Sequence, residues 1–193
     1  MTEKEKASKG LLYDANYDPA ILADRARAQD ICIEYNQTRT AFPEKRLALL
    51  KGLLAACDDD IIIEPPLSID YGYNTRVGKS FYANYGLTIL DGAPVTFGDH
   101  VFVSPHCGFY TAGHPLDVAQ RNAGLEYAKP IRVGNNVWIG AHVCVLPGVT
   151  IGDNAVIAAG SIVTRDVPAG VLAAGNPCRV VREIEEKPRR VIL

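Results

Sequence analysis

The chain has 193 residues, a formal net charge of −2 and a sequence pI of about 6.1. This length suits one domain with a substantial core, and the balanced charge gives no general attraction to nucleic acid or acidic membranes. The charged start MTEKEKASKG lacks the apolar stretch of a signal peptide, and no segment reaches the ~20 apolar residues of a membrane span. We therefore predict a cytoplasmic protein that holds any anionic ligand through local groups.

The cysteines are odd in number, widely spaced and without a CxxC pair: Cys32, Cys57, Cys107, Cys144 and Cys178. This pattern argues against a disulfide framework or a thiolate zinc site and favours a reducing compartment. Nothing in the neighbouring sequence would activate a thiol, so we predict small core or near-surface residues.

Residues 4–57 have the apolar spacing of helices. Asp18-Pro19 is a favourable start, because Asp caps a first turn and Pro is tolerated at the first helical position. A second helix is predicted from Pro43 to Ala56, with its leucines on one broad face. These helices are too short and polar to form a separate core, so residues 1–60 are expected to pack across the start of the next segment.

From Tyr71 onward, apolar residues recur every six positions, which fits neither a helix nor an alternating strand. Phe97 follows Ile89 by eight positions, so two inserted residues near 91–95 are expected to bulge a corner outward, as bulges often do beside a site. The predicted inward places in this part are Tyr71, Val77, Ala83, Ile89, Phe97, Val103 and Phe109.

Residues 111–130 interrupt the period, because Pro115, Arg121 and Tyr127 cannot form an aliphatic ladder. We predict an extruded loop, and a loop of this length in a compact domain is usually functional. It carries His114 in TAGHPLD. An imidazole titrates near neutral pH, so His114 is a candidate base, while the plain alternative is a surface histidine at a turn beside Pro115.

Residues 131–166 form six consecutive hexads: IRVGNN, VWIGAH, VCVLPG, VTIGDN, AVIAAG and SIVTRD. The third place is always aliphatic and is usually followed by Gly or Ala. This repeat is typical of a parallel β-helix, in which three hexads make one coil and the third residue stacks inward on its equivalents. The hexads stop at Pro168. We therefore predict helices in 1–60, a β-helix in 61–168 with the loop 111–130, and a C-terminal segment in 169–193 whose end, EEKPRR, is solvated and mobile.

With NNVWIG, PGVTIGDN and AAGNPCRV, the chain resembles the hexapeptide-repeat acyltransferases, and within them the maltose and galactoside O-acetyltransferases. The resemblance extends to about Arg182, and DYGYN and LEYAKP are closer to the maltose-type members. It implies a mainly β fold whose coils wind left-handed, against the usual crossover rule. It also implies a homotrimer with active sites between chains, and metal-free transfer of an acetyl group from acetyl-CoA to a sugar hydroxyl in a ternary complex.

The resemblance assigns His114 as the general base, because the family's catalytic histidine lies in this Gly-His-Pro setting. Glu126 or a backbone carbonyl is expected to orient its ring. Asn84, in FYANYG, matches an asparagine that contacts the acceptor and offers an amide to the developing oxyanion. Acceptor contacts are further implied at Asp14, Asp70, Tyr82, Asp91 and Glu126, although the galactoside enzyme has Asp-Asp where this chain has Asp91-Gly92 and serine where it has Asp70. Without the resemblance, Asp14 and Asp70 would be interpreted as polar residues of a helix or turn, and Asn84 as an asparagine at a β-helix corner.

For coenzyme A, the resemblance matches Ala141, Ala159 and Thr164 to positions along the pantetheine arm. Guanidinium groups suit phosphates, which makes Arg165, Arg179 and Arg182 the candidate cations. The alternative is that Arg179 and Arg182 are charged side chains of the C-terminal tail that are exposed to solvent and bind no ligand.

Trp138 precedes an inward Ile139 and is expected to point outward, where a neighbouring chain or the site covers it. Two other functions remain open. One is a zinc enzyme like the γ-carbonic anhydrases, using three of His100, His106, His114 and His142, with His100 stacked on His106. The other is a non-catalytic assembly scaffold.

Overall fold

The computed structural model describes residues 1–185, so the expectation for EEKPRR falls almost entirely outside the described residues. The helices are α1 Glu3–Ser8, α2 Pro19–Gln37, α3 Pro43–Leu53 and α4 Val118–Asn122. The strands are β1 Tyr13–Asp14, β2 Ile62–Ile63, β3 Leu67–Ile69, β4 Thr75–Val77, β5 Tyr82–Ala83, β6 Leu87–Leu90, β7 Val95–Phe97, β8 Phe102–Val103, β9 Gly108–Tyr110, β10 Ala112–Gly113, β11 Leu125–Ala128, β12 Ile131–Val133, β13 Trp138–Ile139, β14 Cys144–Val145, β15 Thr150–Ile151, β16 Val156–Ile157, β17 Ile162–Val163, β18 Val171–Ala174 and β19 Arg179–Glu183.

Three sheets enclose the core, and the chain visits them in the same order in every turn. Sheet 1 contains β2, β5, β8, β13, β16, β18 and β19; sheet 2 contains β3, β6, β9, β14 and β17; sheet 3 contains β4, β7, β12 and β15. Neighbouring strands are parallel except for the last pair, β18 and β19. The result is a parallel β-solenoid of about six turns, which confirms the predicted fold class.

Two places in each hexad point into the core. The third places are buried as predicted, and the first places are buried as well: Ile131, Val137, Val143, Val149, Ala155 and Ser161. Each strand therefore has an inward, outward, inward order, and its middle residue faces out. The buried Ser161 is satisfied, because its hydroxyl donates to the Ala158 carbonyl at 2.6 Å and accepts from the Gly175 N–H at 3.1 Å.

The expected insertion after Ile89 is present, and the same insertion occurs one turn earlier, where the sequence prediction missed it. Ile69 pairs with Ile89 and Val77 pairs with Phe97, so the inward place before Val77 is Ile69. Tyr71 was predicted as a rung of this ladder, and that was wrong. It is buried in a separate small cluster with Tyr13.

The N-terminal helices cover the first turn, as expected. Asp18 caps α2 by accepting from the N–H groups of Ala20 and Ile21. Asn36 then bonds both backbone groups of Leu67 in β3, at 2.8 and 2.9 Å. α3 ends at Leu53, three residues before the predicted end, because the Ala55 N–H turns to the carbonyls of Gly72 and Thr75.

The solenoid continues beyond the predicted boundary at residue 168. Val167 forms a parallel bridge with Ile151, and β18 adds a further parallel strand to sheet 1 beside β16. The antiparallel β19 then lies at the end of that sheet. The hexad spacing is lost there while the backbone pairing is kept. Within residues 1–185 no helix has the length and apolarity to cross a membrane, and the five cysteines are free.

Candidate active site

Three stacked corners on one side of the solenoid contain residues inserted into the six-residue spacing: Ile69 to Val77 and Ile89 to Phe97 each span eight positions, and Phe109 to Val133 spans 24. They join sheet 2 to sheet 3 in the first three turns and consist of residues 70–74, 91–94 and 111–130. We call this side the wide edge. It carries Asp70, Asp91 and His114 in successive turns, so residues that are far apart in sequence are aligned by the coil geometry.

The longest of these corners is an ordered arm, whereas the sequence predicted a loop. β10 and β11 form an antiparallel pair within it, α4 lies at its outer end, and β1 from the N-terminal segment pairs with β11. Asp117 caps α4 by accepting from the Gln120 N–H at 2.8 Å. Asn16 donates to the Gly124 carbonyl at 2.9 Å, which ties the arm to the N-terminal segment a second time.

His114 follows β10 directly and is about half exposed. Its Nδ1 lies 3.1 Å from the Leu125 carbonyl oxygen. A carbonyl only accepts, so the neutral ring carries its proton on Nδ1 and leaves a lone pair on Nε2. Oε1 of Glu126 lies 3.7 Å from Nε2. Of the two expected orienting partners, the backbone carbonyl is the one bonded to the ring, and Glu126 faces Nε2.

Asp70 lies beside this pair at the wide edge. Burial raises the pKa of its carboxyl to about 6; the Arg25 guanidinium opposes this, while the charges of Asp91 and Glu126 add to it. Arg25 itself donates to the Tyr71 hydroxyl at 2.8 Å. This part of the wide edge is therefore rich in carboxylates, with the Arg25 guanidinium nearby.

Asp91, which the sequence predicts as an acceptor contact, is buried and hydrogen-bonded within the fold. It is 0 % exposed, its Oδ1 accepts from the Tyr71 N–H at 2.8 Å, and its Oδ2 accepts from the Thr75 hydroxyl at 2.9 Å. Burial raises the pKa of this carboxyl, and these hydrogen bonds oppose the rise. Both oxygens therefore hold the preceding wide corner in place.

Asp14 lies in β1 opposite Leu125 of the arm. Its Oδ1 accepts from the N–H groups of Asn16 at 3.1 Å and Tyr17 at 2.8 Å, which makes it a turn residue as well as a neighbour of the site.

A second group of predicted residues lies on another side, where sheet 1 joins sheet 2. We call this side the narrow edge; it consists of residues 64–66, 84–86, 104–107, 140–143 and 158–161. Asn84 begins its second-turn corner, and Ala141 and Ala159 lie on successive later turns, joined by the bond from the Gly160 N–H to the Ala141 carbonyl at 2.8 Å. A shallow groove of about 430 Å³ beside Asn84 is lined by Tyr82, Phe102, Val103, Ser104 and Trp138.

The two predicted catalytic residues are thus on different edges of one chain. Asn84 is on the narrow edge and His114 is on the wide edge, with sheet 2 between them. Within residues 1–185 neither side chain bonds the other: Asn84 accepts from the Tyr85 N–H, and His114 contacts Leu125 and Glu126. One copy of the chain therefore does not assemble both groups.

The outer faces of the sheets differ in polarity. Trp138 is 54 % exposed, as predicted for an outward residue, and its ring N–H donates to the Ser104 hydroxyl at 3.2 Å. It belongs to a paired outward row on sheet 1 that is entirely apolar or aromatic: Ile62, Tyr82, Phe102, Trp138, Val156 and Leu172. The corresponding row on sheet 3 is polar: Arg76, Thr96, Arg132 and Thr150. A continuous apolar row of this kind marks an interaction surface.

The candidate residues for the coenzyme phosphates are exposed. Thr164 and Arg165 follow β17 on the wide edge, whereas Arg179 and Arg182 are on β19. The Arg179 guanidinium donates to the Cys178 carbonyl at 2.7 Å and that of Arg182 to the Glu183 carbonyl at 3.0 Å.

Within residues 1–185 of one chain, the histidines do not gather into a metal-binding group. His106 stacks on His142, with ring centroids 5.1 Å apart, and the expected stack with His100 was wrong. Residues one hexad apart lie on successive sides of a coil, and residues one turn apart lie above each other. Across residues 1–185 no group of three or more His, Cys, Asp or Glu could hold a metal ion.

Sequence reasoning missed Tyr13, Arg25 and Gly92, which surround the Glu126 and Asp70 carboxylates. Tyr13 and Arg25 lie in the N-terminal segment, where the helical pattern gave no sign of a long-range contact. The signal available for Gly92 was its place in the predicted insertion.

Comparison with known proteins adds two family matches. Residues 6–58 match the maltose acetyltransferase hexapeptide capping motif, and residues 130–165 match the bacterial transferase hexapeptide as six repeats. The galactoside O-acetyltransferase of Escherichia coli K12 is 47 % identical over 165 residues, covering 86 % of this chain and 81 % of that protein.

Two solved structures are similar over nearly the whole chain. A galactoside acetyltransferase in complex with coenzyme A has a TM-score of 0.92 and 44 % identity, covering 96 % of this chain and 92 % of that one. A maltose O-acetyltransferase from Clostridium difficile 630 has a TM-score of 0.94 and 45 % identity, covering 96 % and 99 %.

Proposed function

Because the chain belongs to the hexapeptide-repeat acetyltransferases of the galactoside and maltose type, we propose that it moves an acetyl group from acetyl-CoA to a sugar hydroxyl by direct attack. The observation that carries this proposal is the state of His114. Its Nδ1 is bonded to the Leu125 carbonyl, and its Nε2 is free to accept a proton in an exposed position. The base is thereby prepared before the acceptor arrives.

His114 takes the hydroxyl proton on Nε2 while the sugar oxygen attacks the thioester carbonyl. The carbon–sulfur bond then breaks, and the protonated ring returns the proton to the departing thiolate. Glu126, 3.7 Å from Nε2, stabilises the ring while it is charged. Asn84 offers its amide N–H to the carbonyl oxygen as negative charge develops there. This sequence needs no acyl-enzyme and no metal ion.

The separation of Asn84 from His114 supports a site between chains. In a homotrimer, the narrow edge of one copy meets the wide edge of the next, and each site takes its base from one copy and its amide from the other. The apolar row on sheet 1 supports such packing, because burial of Phe102 and Trp138 against a neighbour removes their exposed surface from water. A monomer in light scattering would contradict this assembly.

The acceptor end suits a carbohydrate. Carboxylates accept hydrogen bonds from hydroxyl groups, and Asp14, Asp70 and Glu126 lie around the base. Tyr82 and Asn84 of the neighbouring copy supply an aromatic face and an amide. We propose that Asp91 stabilises the corner that carries Asp70, since both of its oxygens accept hydrogen bonds from that corner and its following strand.

Coenzyme A fits the residues available at the later turns. Ala141 and Ala159 present small side chains at the narrow edge, where a slender amide-containing chain can lie against backbone groups. Thr164 with Arg165, Arg179 and Arg182 would provide polar and cationic contacts for its remainder. When bound, the acetylated coenzyme supplies the activated acyl group. We further propose that the enzyme works in the cytoplasm, a location supported by the five free cysteines.

His114→Ala tests the proposal. We expect transfer from acetyl-CoA to a panel of sugars, including maltose, glucose and a galactoside, to fall by about 10² to 10⁴ when the base is removed. His100→Ala, which removes an exposed histidine from another corner, is the matched control and should retain activity. Equal rates for wild type and His114→Ala would overturn the mechanism, and absence of transfer to every hydroxyl acceptor would overturn the activity.

A further inference from the structure

Tyr13 is a buried residue with a polar group that requires a partner. It is 1 % exposed and packs in a cluster separate from the solenoid core, with Tyr71, Ala93 and Ala128 among its neighbours. Its hydroxyl donates to Oε2 of Glu126 at 3.3 Å. A buried hydroxyl without a hydrogen bond is costly, so this contact is strongly preferred over none.

The pairing of β1 with β11 sets this contact. Tyr13 and Glu126 are directly opposite each other in the antiparallel register. Side chains of such a pair lie on the same face at close distance. The N-terminal segment therefore contributes to the candidate site through one defined residue.

The Glu126 carboxylate is shared between two partners. Oε2 accepts from Tyr13, and Oε1 faces Nε2 of His114 at 3.7 Å. Burial raises the pKa of the Tyr13 hydroxyl; the charges of Glu126 and Tyr71 add to the rise and Arg25 opposes it. The hydroxyl thus stays protonated and remains a donor at neutral pH.

Gly92 provides the space for this hydroxyl. A Cβ added at residue 92 would lie 2.8 Å from the Tyr13 hydroxyl oxygen, and the next atom, Cβ of Ala128, would be 3.4 Å away. The hydroxyl is therefore the one close obstacle, since real Cβ atoms essentially never approach within 3.0 Å. A side chain at this position would push the hydroxyl away from Glu126.

We propose that Tyr13 is a positioning residue for the acetyl transfer: its hydroxyl, seated against Gly92, fixes the Glu126 carboxylate opposite Nε2 of His114. The inference rests on the proposed function and adds to it a role for the N-terminal strand. Without the hydroxyl, the carboxylate rotates away from the ring, and the charged imidazole of the transition state loses its neighbour.

Two independent changes test this. Tyr13→Phe removes the hydroxyl and keeps the ring, and Gly92→Ala displaces the hydroxyl. We expect each to lower kcat about tenfold, equivalent to about 1.4 kcal/mol of barrier, with KM for acetyl-CoA unchanged. The double variant should resemble Tyr13→Phe alone, because the obstacle to the new Cβ is gone. In a Glu126→Gln background, Tyr13→Phe should lower kcat by less than about twofold.

Tyr35→Phe is the control for a purely structural effect. Tyr35 is equally buried, and its hydroxyl donates to the Ile63 carbonyl, away from the wide edge. It should lower the midpoint of unfolding as much as Tyr13→Phe does while leaving kcat unchanged.

Wild-type kcat in Tyr13→Phe, or additive losses in either double variant, would overturn the inference, while the proposed function stands if His114→Ala shows its expected loss of transfer. Full activity of His114→Ala would overturn both.

Discussion

Replacement of Asp70 by Asn should make the protein more stable at neutral pH. Burial raises the pKa of this carboxyl from 3.8 to about 6 in the folded protein. Above that pH the folded chain must keep a charge in a poorly solvated position, with Asp91 and Glu126 adding repulsion and Arg25 providing part of the compensation. Asn has nearly the same shape and no charge, so Asp70→Asn removes this cost.

The sign and size follow from linkage. The unfolded chain releases the Asp70 proton near 3.8 and the folded chain near 6, so the contribution to stability is greatest below 3.8 and is lost as the pH rises through 6. At about 1.4 kcal/mol per pH unit the full effect is about 3 kcal/mol, and partial contact with solvent reduces it to about 2 kcal/mol. Asp70→Asn should gain this amount at pH 7.5 and much less at pH 4.5.

Urea denaturation of wild type and Asp70→Asn from pH 4.5 to 8 measures the difference. Protein concentration is held fixed, because association of chains also stabilises the fold. Asp30→Asn, at an exposed position of α2, removes the same charge from solvent and should show no such trend. A difference that stays constant across this range, or that favours wild type as the pH rises, refutes the reasoning.

Three further predictions concern the groove, the core and the apolar row. Asn84→Ala should lower kcat by about 10² to 10³, and a loss of less than threefold in steady-state kinetics would remove the amide from the mechanism. Ile139→Ala, at a fully buried rung, should cost about 2–5 kcal/mol in chemical denaturation; a cost below 1 kcal/mol would contradict close packing there. Trp138→Lys should reduce the assembly seen by light scattering and lower activity with it; an active assembly of wild-type size would refute a covered sheet 1.

The solenoid was predictable because its signal is repeated. Val133, Ile139 and their successors define the inward places many times over, and one weak hexad changes little. Tyr71 was misassigned because it lies six positions before Val77, where a regular hexad would place the preceding inward residue. Two residues are inserted here, so the true inward residue is Ile69, eight positions before Val77. An insertion is recognisable when regular hexads lie on both sides of it. The insertion in the first turn is followed by regular hexads but is not preceded by them.

The candidate site was predicted from local motifs, and the roles of its residues stay predictions. His114 and Asn84 were located by their surroundings, GHP and FYANYG. The bond from Tyr13 to Glu126 joins residues 113 positions apart, and no short-range pattern indicates it. Asp91 was assigned as an acceptor contact through the family resemblance, which gives no information on burial; in the structure both of its oxygens are hydrogen-bonded within the corner.

The pairing of β1 with β11 imposes an order on synthesis. Tyr13 leaves the ribosome 113 residues ahead of Glu126, which corresponds to roughly 6 to 23 s at about 5–20 residues per second. During this interval the first strand has no arm to join, although the coils between them can already wind. The contact that holds Glu126 beside the imidazole therefore forms only after the arm has been synthesised, when β1 pairs with a segment made much later than itself.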